Sequence, residues 1–542
     1  MARPTVVLEY GVFGQALSPL FRDYLAAMPR ALAFFGGSEW RPEAVLEACG
    51  RVRGTQRPRE ALAAALVRQQ EQRRAPAAAA RAAELGQPDA VAVVTGQQPV
   101  LFGGPLYVLY KALAARKAAR LLQERRGLPA VPVFWVASDD HDFAEVRSTT
   151  VLDESGQIRT LRYSPLREPL AQPASHIVLE DGIAPLVEEL GRCLPEGLHR
   201  DELLGLLRDS YRPGATLSGA FARLLSALIP GLVVLDPADP AIKSLMVPVL
   251  RRELDEGSPT SRLAREAGAA LLAAGYHQQV PVRPGFLNLF VVMDGERRAL
   301  AVQDGTIEVR GPGRKLPLRE AVRRLEAQPA DWSPGVLLRP LAQDLILPTA
   351  AYVAGPAEIA YHAQIGSSYA HFGLPRPVLL PRPSLTLVEP PQARALEAEG
   401  LKITDLEADP DAIVARWARE AYPEVEAAFA RTRESVIREM GNVEEALGAL
   451  DPTLRAAAAA ARGRALHQIA TLHEKAIRVL KKRDRSRADR LRRTRDALFP
   501  GGAFQERGLG LVSAIARHGT ALVEEIEERM DPWANGHQVL YL

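Results

Sequence analysis

Val91–Val94 is an unbroken apolar run, the pattern of a strand buried on both faces. Behind it lies Thr95-Gly-Gln-Gln-Pro-Val-Leu-Phe-Gly-Gly-Pro-Leu-Tyr-Val-Leu-Tyr-Lys111. Leu106, Leu109, Tyr110 and Leu113 recur there at helical spacing, and Pro105 falls where a first helical turn tolerates proline. Pro132–Val136, Gly231–Asp236 and Tyr352–Pro356 repeat the strand pattern, and the last two run straight into helix signals. This alternation predicts an α/β core with a parallel, doubly wound sheet over 91–389. Residues 1–90 read as a helical segment, whose Ala61–Ala83 run Pro76 should split. Two insertions interrupt the core. The first, about 151–230, has weak periodicity. The second, about 276–335, reads as antiparallel strands Val280–Val282, Phe286–Met293 and Ala299–Val302, with turns at Asp294-Gly295 and Asp304-Gly305. From 390 to 500 the period becomes that of long helices. Phe429, Val436, Met440, Val443, Leu447 and Leu450 mark one, and after Asp451-Pro452 come Leu466, Ile469, His473, Ala476 and Leu480. These predict an antiparallel coiled-coil arm. The tail, 501–542, should return to the core through His537–Leu542 as a closing strand.

Composition adds bounds. With 542 residues, two or more domains are expected. The 68 Lys+Arg nearly balance 65 Asp+Glu, which argues against a chain that binds polyanions as a whole. Cys49 and Cys193 have neither disulfide-framework nor metal-ligand spacing. Neither a signal peptide nor a membrane-length apolar run is read, so a cytoplasmic enzyme is the expectation.

The chemistry gathers at strand ends. A strand, a loop bearing Gly96, Gln97, Gln98, Gly103 and Gly104, and a helix N-terminus together form a candidate anion site, with Lys111 two turns further on. The alternative is a tight βα connection. Asp139, Asp140, His141 and Asp142 follow the second strand, three acids and an imidazole suited to a cation or to proton exchange, or else to capping the next helix. Asp236 reads foremost as a helix cap, otherwise as a ribose or amine contact. Asn288 is a candidate substrate contact on an exposed hairpin. Arg339 could grip a carboxylate, or pair with Asp344 near Gln343; Glu358 could hold an ammonium, with Tyr361 and His362 beside it. The run Lys481–Arg495 is strongly basic but lacks interleaved aromatics, so a solvated helix face is preferred over nucleic-acid binding.

The first two motifs, TGQQPVLFGGPLYVLYK and VFWVASDDHDF, resemble the BshC family of bacillithiol synthesis. So do Leu338–Tyr361, Pro381-Arg-Pro-Ser-Leu-Thr, Leu498–Arg507 and His537–Leu542, in order along the whole chain. One departure is Asp139, where Glu is expected. The resemblance implies a Rossmann-like core similar to class I aminoacyl-tRNA synthetases and nucleotidyl transferases. It also implies a coiled-coil arm that forms a homodimer. The implied reaction is a ligation joining the cysteine carboxyl to the amine of glucosaminyl-malate, the last step of the pathway. It implies His141 with Asp140 or Asp142 as the proton acceptor, and Gly103, Gly104 and Lys111 on phosphate. Tyr107, Tyr352 and Gly355 join Gly96, Gln97, Gln98, Asp139, Asn288, Arg339, Gln343, Asp344, Glu358 and Tyr361 as substrate or cofactor contacts. ATP and Mg²⁺ (at Asp140 and Asp142) are the candidate cofactors, although the His-x-Gly-His and Lys-Met-Ser-Lys-Ser motifs that serve ATP in class I synthetases are absent. The competing reading is a non-catalytic, synthetase-like RNA-binding protein that uses the basic arm.

Overall fold

The computed structural model describes residues 5–13, 17–303, 305–311, 313–483 and 485–542. Asp304 of the expected second turn, and the side chains of 481–484 that open the basic run, lie outside the described residues. The chain forms two compact units, Met1–Val388 with Ala503–Leu542, and Glu389–Gly502.

In the first unit β1 (Val6–Leu8) precedes helices, two of which, Arg59–Gln72 and Pro76–Glu84, are parted before Pro76. Next come β2 (Val91–Gln97), β3 (Ala130–Val136), the hairpin β4 (Ser148–Leu152) and β5 (Ile158–Arg162), and β6 (Val233–Leu235). The second insertion carries β7 (Phe286–Met293), β8 (Glu296–Gln303), β9 (Thr306–Val309), β10 (Arg314–Pro317) and β11 (Trp332–Pro334). The core resumes with β12 (Thr349–Ala354), β13 (Val378–Pro381) and β14 (Ser384–Val388), and the tail ends in β15 (His537–Tyr541).

Five strands make the central sheet in the order β13-β12-β2-β3-β6, every pair parallel. Numbered by their own succession, that order is 3-2-1-4-5, a Rossmann-like arrangement that reverses direction between β2 and β12. Ligands of such sheets bind beyond the carboxyl ends at that reversal. β3 is buried along its whole length and β2 all but its last residue, which explains why both read as unbroken apolar runs. Gly96 faces Trp135 in the register, and a Cβ on it would lie 2.8 Å from the Trp135 carbonyl oxygen. The glycine there serves strand packing first.

Two local expectations are corrected. Val280–Val282 is not a strand. The side-chain amide of Gln364 accepts from the Val280 N–H (2.8 Å) and donates to its carbonyl (3.0 Å), so Val280's backbone groups need no strand neighbour. Val280 and Val282 are apolar because they pack on Ala264, Leu337, Tyr361, Ile365 and Tyr369. Asp236 does not cap the helix Pro240–Asp255; Asp239 does, accepting from the Ala241 N–H at 2.8 Å. Asp236 instead takes hydrogen bonds from the Ser138 hydroxyl and the Ala238 N–H. Elsewhere β7–β11 form an antiparallel sheet, and β15 lies between β1 and β14.

In the second unit, helices Pro423–Leu450 and Pro452–Arg483 meet at Asp451. Glu426 pairs with His473 (2.6 Å) and Glu444 with Arg462 (2.9 Å), which fixes them as an antiparallel hairpin. The basic run is engaged rather than bare. Arg487 and Arg490 hold Glu399, Arg492 holds Asp411, and Arg487 stacks 3.9 Å over Trp417.

Candidate active site

A cavity of about 560 Å³ opens at the carboxyl ends of β2, β3 and β12, where the sheet order reverses. β2 contributes Gly96 and Gln97 with Gln98 behind them; β3 contributes Trp135, followed by Ala137, Asp139 and Asp140. β12 brings Tyr352, and Gly355 opens the helix Pro356–Gln364, which carries Glu358 and Tyr361. The helix Leu106–Arg126 adds Tyr107 and Lys111, and Arg339 begins Arg339–Ile346. Five cationic side chains line the cavity (Lys111, Arg297, Arg339, Arg382 and Arg507) against three acids, Asp139, Asp140 and Glu358.

Pairing sharpens that imbalance. Lys111, buried, donates to Glu358 (2.6 Å) and to the Gly96 carbonyl (2.6 Å), with Gln97 Oε1 at 3.3 Å. Burial lowers the Lys111 pKa and Glu358 opposes it; burial raises that of Glu358, but Lys111, the Gly355 N–H and the Tyr352 hydroxyl together outweigh it and hold the carboxyl below its usual range. Glu358 also accepts from the Tyr352 hydroxyl (2.7 Å) and the Gly355 N–H (2.7 Å). Asp139 is matched by Lys243, and Arg382 by Glu506 (2.6 Å).

Three guanidinium groups have no carboxylate partner among the described residues. Arg339 donates to Gln343 Oε1 (2.8 Å) and to the hydroxyls of Tyr361 (3.3 Å) and Tyr352 (3.4 Å). Arg297 lies 3.7 Å over the Phe290 ring and donates to Ser333 Oγ (3.0 Å) and the Pro334 carbonyl (3.0 Å). Arg507 is exposed at the cavity edge. Arg382 adds a buried Nη1 without a hydrogen-bond partner among the described residues. Such a chamber favours a ligand with more than one negative group.

At the acidic side, Asp140 accepts from Gln98 Nε2 and from the His141 N–H, both at 2.7 Å. His141 does not line the cavity; its Nδ1 stands 3.2 Å from Arg297 Nη1. Arg297 has only protons to offer, so Nδ1 accepts and the neutral ring carries its proton on Nε2. Burial, then Arg297, lower the His141 pKa and keep the ring neutral.

Several expected contacts lie elsewhere. Asp142 caps the short helix Phe143–Val146, accepting from the Glu145 N–H (3.3 Å), and is outside the cavity. Gly103 and Gly104 have φ of +85° and +75° and are packed rather than open: a Cβ would meet Leu511 at 2.8 Å and Val100 at 2.9 Å. The Gly103 N–H donates to the Val100 carbonyl and the Tyr211 hydroxyl, so the loop is a βα connection and not an anion cradle. Pro105 is the residue before the helix, not its first turn. Asn288 belongs to a polar knot: it donates to Thr260 Oγ1 (2.7 Å) and Ser261 Oγ (2.9 Å), beside the buried Glu253. Gln343 and Asp344 stand behind the wall. Asp344 accepts from Gln343 and from Tyr369 (2.6 Å) and forms no ion pair with Arg339. Among the described residues no group of three or more His, Cys, Asp or Glu could hold a metal ion.

The comparisons with known proteins bear on this geometry. Residues 9–383 match the family model for the bacillithiol biosynthesis BshC N-terminal Rossmann-like domain. Residues 385–542 match that for the BshC C-terminal coiled-coil domain. This chain belongs to the BshC family. A relative from Salinibacter ruber, named "Putative cysteine ligase BshC", is 32% identical over 97% of this chain and 96% of its own. One from Koribacter versatilis with the same name is 34% identical over 94% of each chain. Among solved structures, a Campylobacter jejuni chain described as a "putative arginyl t-RNA synthetase" aligns with 80% of this chain and 92% of its own. At 11% identity and a TM-score of 0.23, that likeness carries no argument.

All but the last of the sequence blocks that resemble BshC converge on the cavity. They deliver Gln97 to Lys111, Trp135 to Asp140, Arg339 to Tyr361, Arg382, and Arg507. Arg382 and Arg507 lie within these motifs, but nothing in the sequence marks them as site residues. Arg297, Lys243 and Phe290 had no sequence signal: an arginine in a hairpin and a lysine in a helix look solvated until the fold buries them.

Proposed function

We propose that this BshC protein is a carbon–nitrogen ligase that joins the carboxyl of cysteine to the amine of glucosaminyl-malate, completing bacillithiol. The observation that carries the reading is the set of Arg297, Arg339 and Arg507, which form no ion pair with a carboxylate among the described residues, in one cavity at the sheet's reversal point. Two carboxylates of a malate and one of cysteine are ligands of the kind that set favours. Arg339, held by two tyrosine hydroxyls and Gln343, orients a carboxylate. Arg297, fixed on Phe290, faces the acidic side, where it can stabilise the oxyanion that develops as the amine attacks. Asp140 is the residue placed to take the amine proton. His141 keeps Arg297 in position through Nδ1. Trp135, Phe290 and Tyr361 exclude water.

Amide formation from a free carboxylate also needs an activated leaving oxygen, which ATP would supply by converting the carboxylate to a mixed anhydride, an acyl phosphate (releasing ADP) or an acyl adenylate (releasing pyrophosphate), from which the amine would displace phosphate or AMP. The unpaired arginines fit its phosphates. A protein-built Mg²⁺ site does not fit, because Asp142 is spent on its helix cap and Asp139 on Lys243. The arm fits a homodimer contact: Ile437, Val443, Leu450, Leu472 and Val479 stay exposed on the hairpin. The deciding experiment incubates the protein with cysteine and glucosaminyl-malate, with and without ATP and Mg²⁺, and follows mass spectra. Product containing both substrates is expected. Its absence under every condition, with folded protein, sinks the reading.

A further inference from the structure

Three donors converge on Glu358. Its Oε2 accepts from Lys111 Nζ (2.6 Å) and the Gly355 N–H (2.7 Å), and its Oε1 from the Tyr352 hydroxyl (2.7 Å). An ionised carboxylate only accepts, and a phenol has a single proton to give. The Tyr352 proton therefore points at Glu358, and the oxygen keeps its lone pairs for a donor on the other side. Arg339 is that donor. Its Nη2 bonds the hydroxyl oxygens of Tyr352 (3.4 Å) and Tyr361 (3.3 Å), and its Nη1 bonds Gln343 Oε1 (2.8 Å). Those three bonds leave two of the guanidinium's five N–H groups for a ligand.

We propose that Glu358 is a positioning residue for Arg339. By taking the Tyr352 proton it fixes that hydroxyl as an acceptor, and so sets the direction in which the guanidinium presents its remaining N–H groups to a substrate carboxylate. This rests on the reading of Arg339 as the group that orients a carboxylate. Lys111 belongs to the same device, since it holds the opposite oxygen of Glu358. The chain of bonds ties the helix Leu106–Arg126 to the helix Pro356–Gln364, to β12 and to the helix Arg339–Ile346. A seat built on four regular elements holds its geometry before the ligand arrives.

The polarity of this chain gives Glu358→Gln a specific consequence. The Oε2 position faces two donors, Lys111 and the Gly355 N–H, so the amide oxygen takes it and the amide nitrogen faces Tyr352. That nitrogen donates. The Tyr352 proton loses its acceptor and turns to the side where Arg339 donates, donor against donor. Size and shape are otherwise kept.

The test is a double-mutant cycle on the full-length protein, read by calorimetry with cysteine, malate and glucosaminyl-malate. The ligand followed is the one that Arg339→Lys weakens. Glu358→Gln should weaken it about three- to tenfold, the worth of one hydrogen bond. In a Tyr352→Phe background the same change should add nothing, because no hydroxyl remains to turn. A merely distorted helix start would cost affinity in both backgrounds alike. If Glu358→Gln alone does not fold, the pair Lys111→Met with Glu358→Gln, which leaves no buried charge unpaired, takes its place in the cycle. Equal losses in both backgrounds, no loss in either, or no ligand weakened by Arg339→Lys overturns the proposal. Product from cysteine and glucosaminyl-malate together with an additive cycle sinks the positioning role alone. No product, with a coupled cycle on malate, keeps that role and removes the ligase assignment instead.

Discussion

Arg339 shows how one residue's neighbours decide its chemistry. Its guanidinium is fixed by Gln343, Tyr352 and Tyr361, all neutral, so orientation comes without neutralisation. Arg339→Lys keeps the charge but cannot serve three fixed acceptors with the same geometry. The affinity for carboxylate substrates should fall about tenfold or more by calorimetry, and an unchanged Kd would remove Arg339 from recognition. The two neighbouring acids separate in the same way. Asp140→Asn should lower turnover about a hundredfold, as expected for a lost proton acceptor. Asp142→Asn removes only part of a cap, costs on the order of 1 kcal/mol at most, and should leave turnover within a few-fold. Equal losses in both variants would return the role to the whole acidic turn.

At the scale of elements, the loop between β2 and its helix is packed from both sides, so Gly104→Val acts on folding. Its φ of +75° and the 2.9 Å approach to Val100 predict destabilisation of roughly 1–3 kcal/mol, read by thermal unfolding. The seam between β14 and β15 contains His537, whose ring lies between the hydroxyls of Ser384 (2.8 Å) and Thr386 (2.9 Å). Burial lowers its pKa to about 4. The unfolded chain, with a histidine near 6.5, then binds the proton more readily than the folded one, so stability falls as pH drops. About 3 kcal/mol should be lost between roughly pH 6.5 and 4, the full shift of the group. His537→Gln should flatten that part of the pH–stability curve, and a slope identical to wild type would assign the loss to other groups.

For the whole molecule, the open question is what covers the arm's apolar side chains. Val436, Met440, Leu447, Leu466, Ile469 and Leu480 are half-buried within the hairpin, while Ile437, Val443, Leu472 and Val479 remain exposed. Symmetric pairing with a second chain would bury them. Replacing 425–480 with a short flexible linker should convert a dimer to a monomer in sedimentation equilibrium; a monomeric intact chain at micromolar concentration would refute the pairing. The sequence by itself determined the sheet, because β2 and β3 are buried on both faces and leave an unmistakable apolar run. It also determined the arm's two helices, whose period and central proline are local properties. Five of the family motifs contribute to the walls of the cavity. Only the tertiary structure decided which polar residues face that space. Asp142, Gly103, Gly104 and Asn288 stand close to the site in sequence or fold, yet spend their groups on a cap, on packing and on a buried knot. Arg297 and Lys243 come from distant segments and become site residues only when folding carries them against His141 and Asp139. A sequence pattern records which face of an element is apolar; it does not record which of two polar neighbours finds a partner and which is left for the ligand.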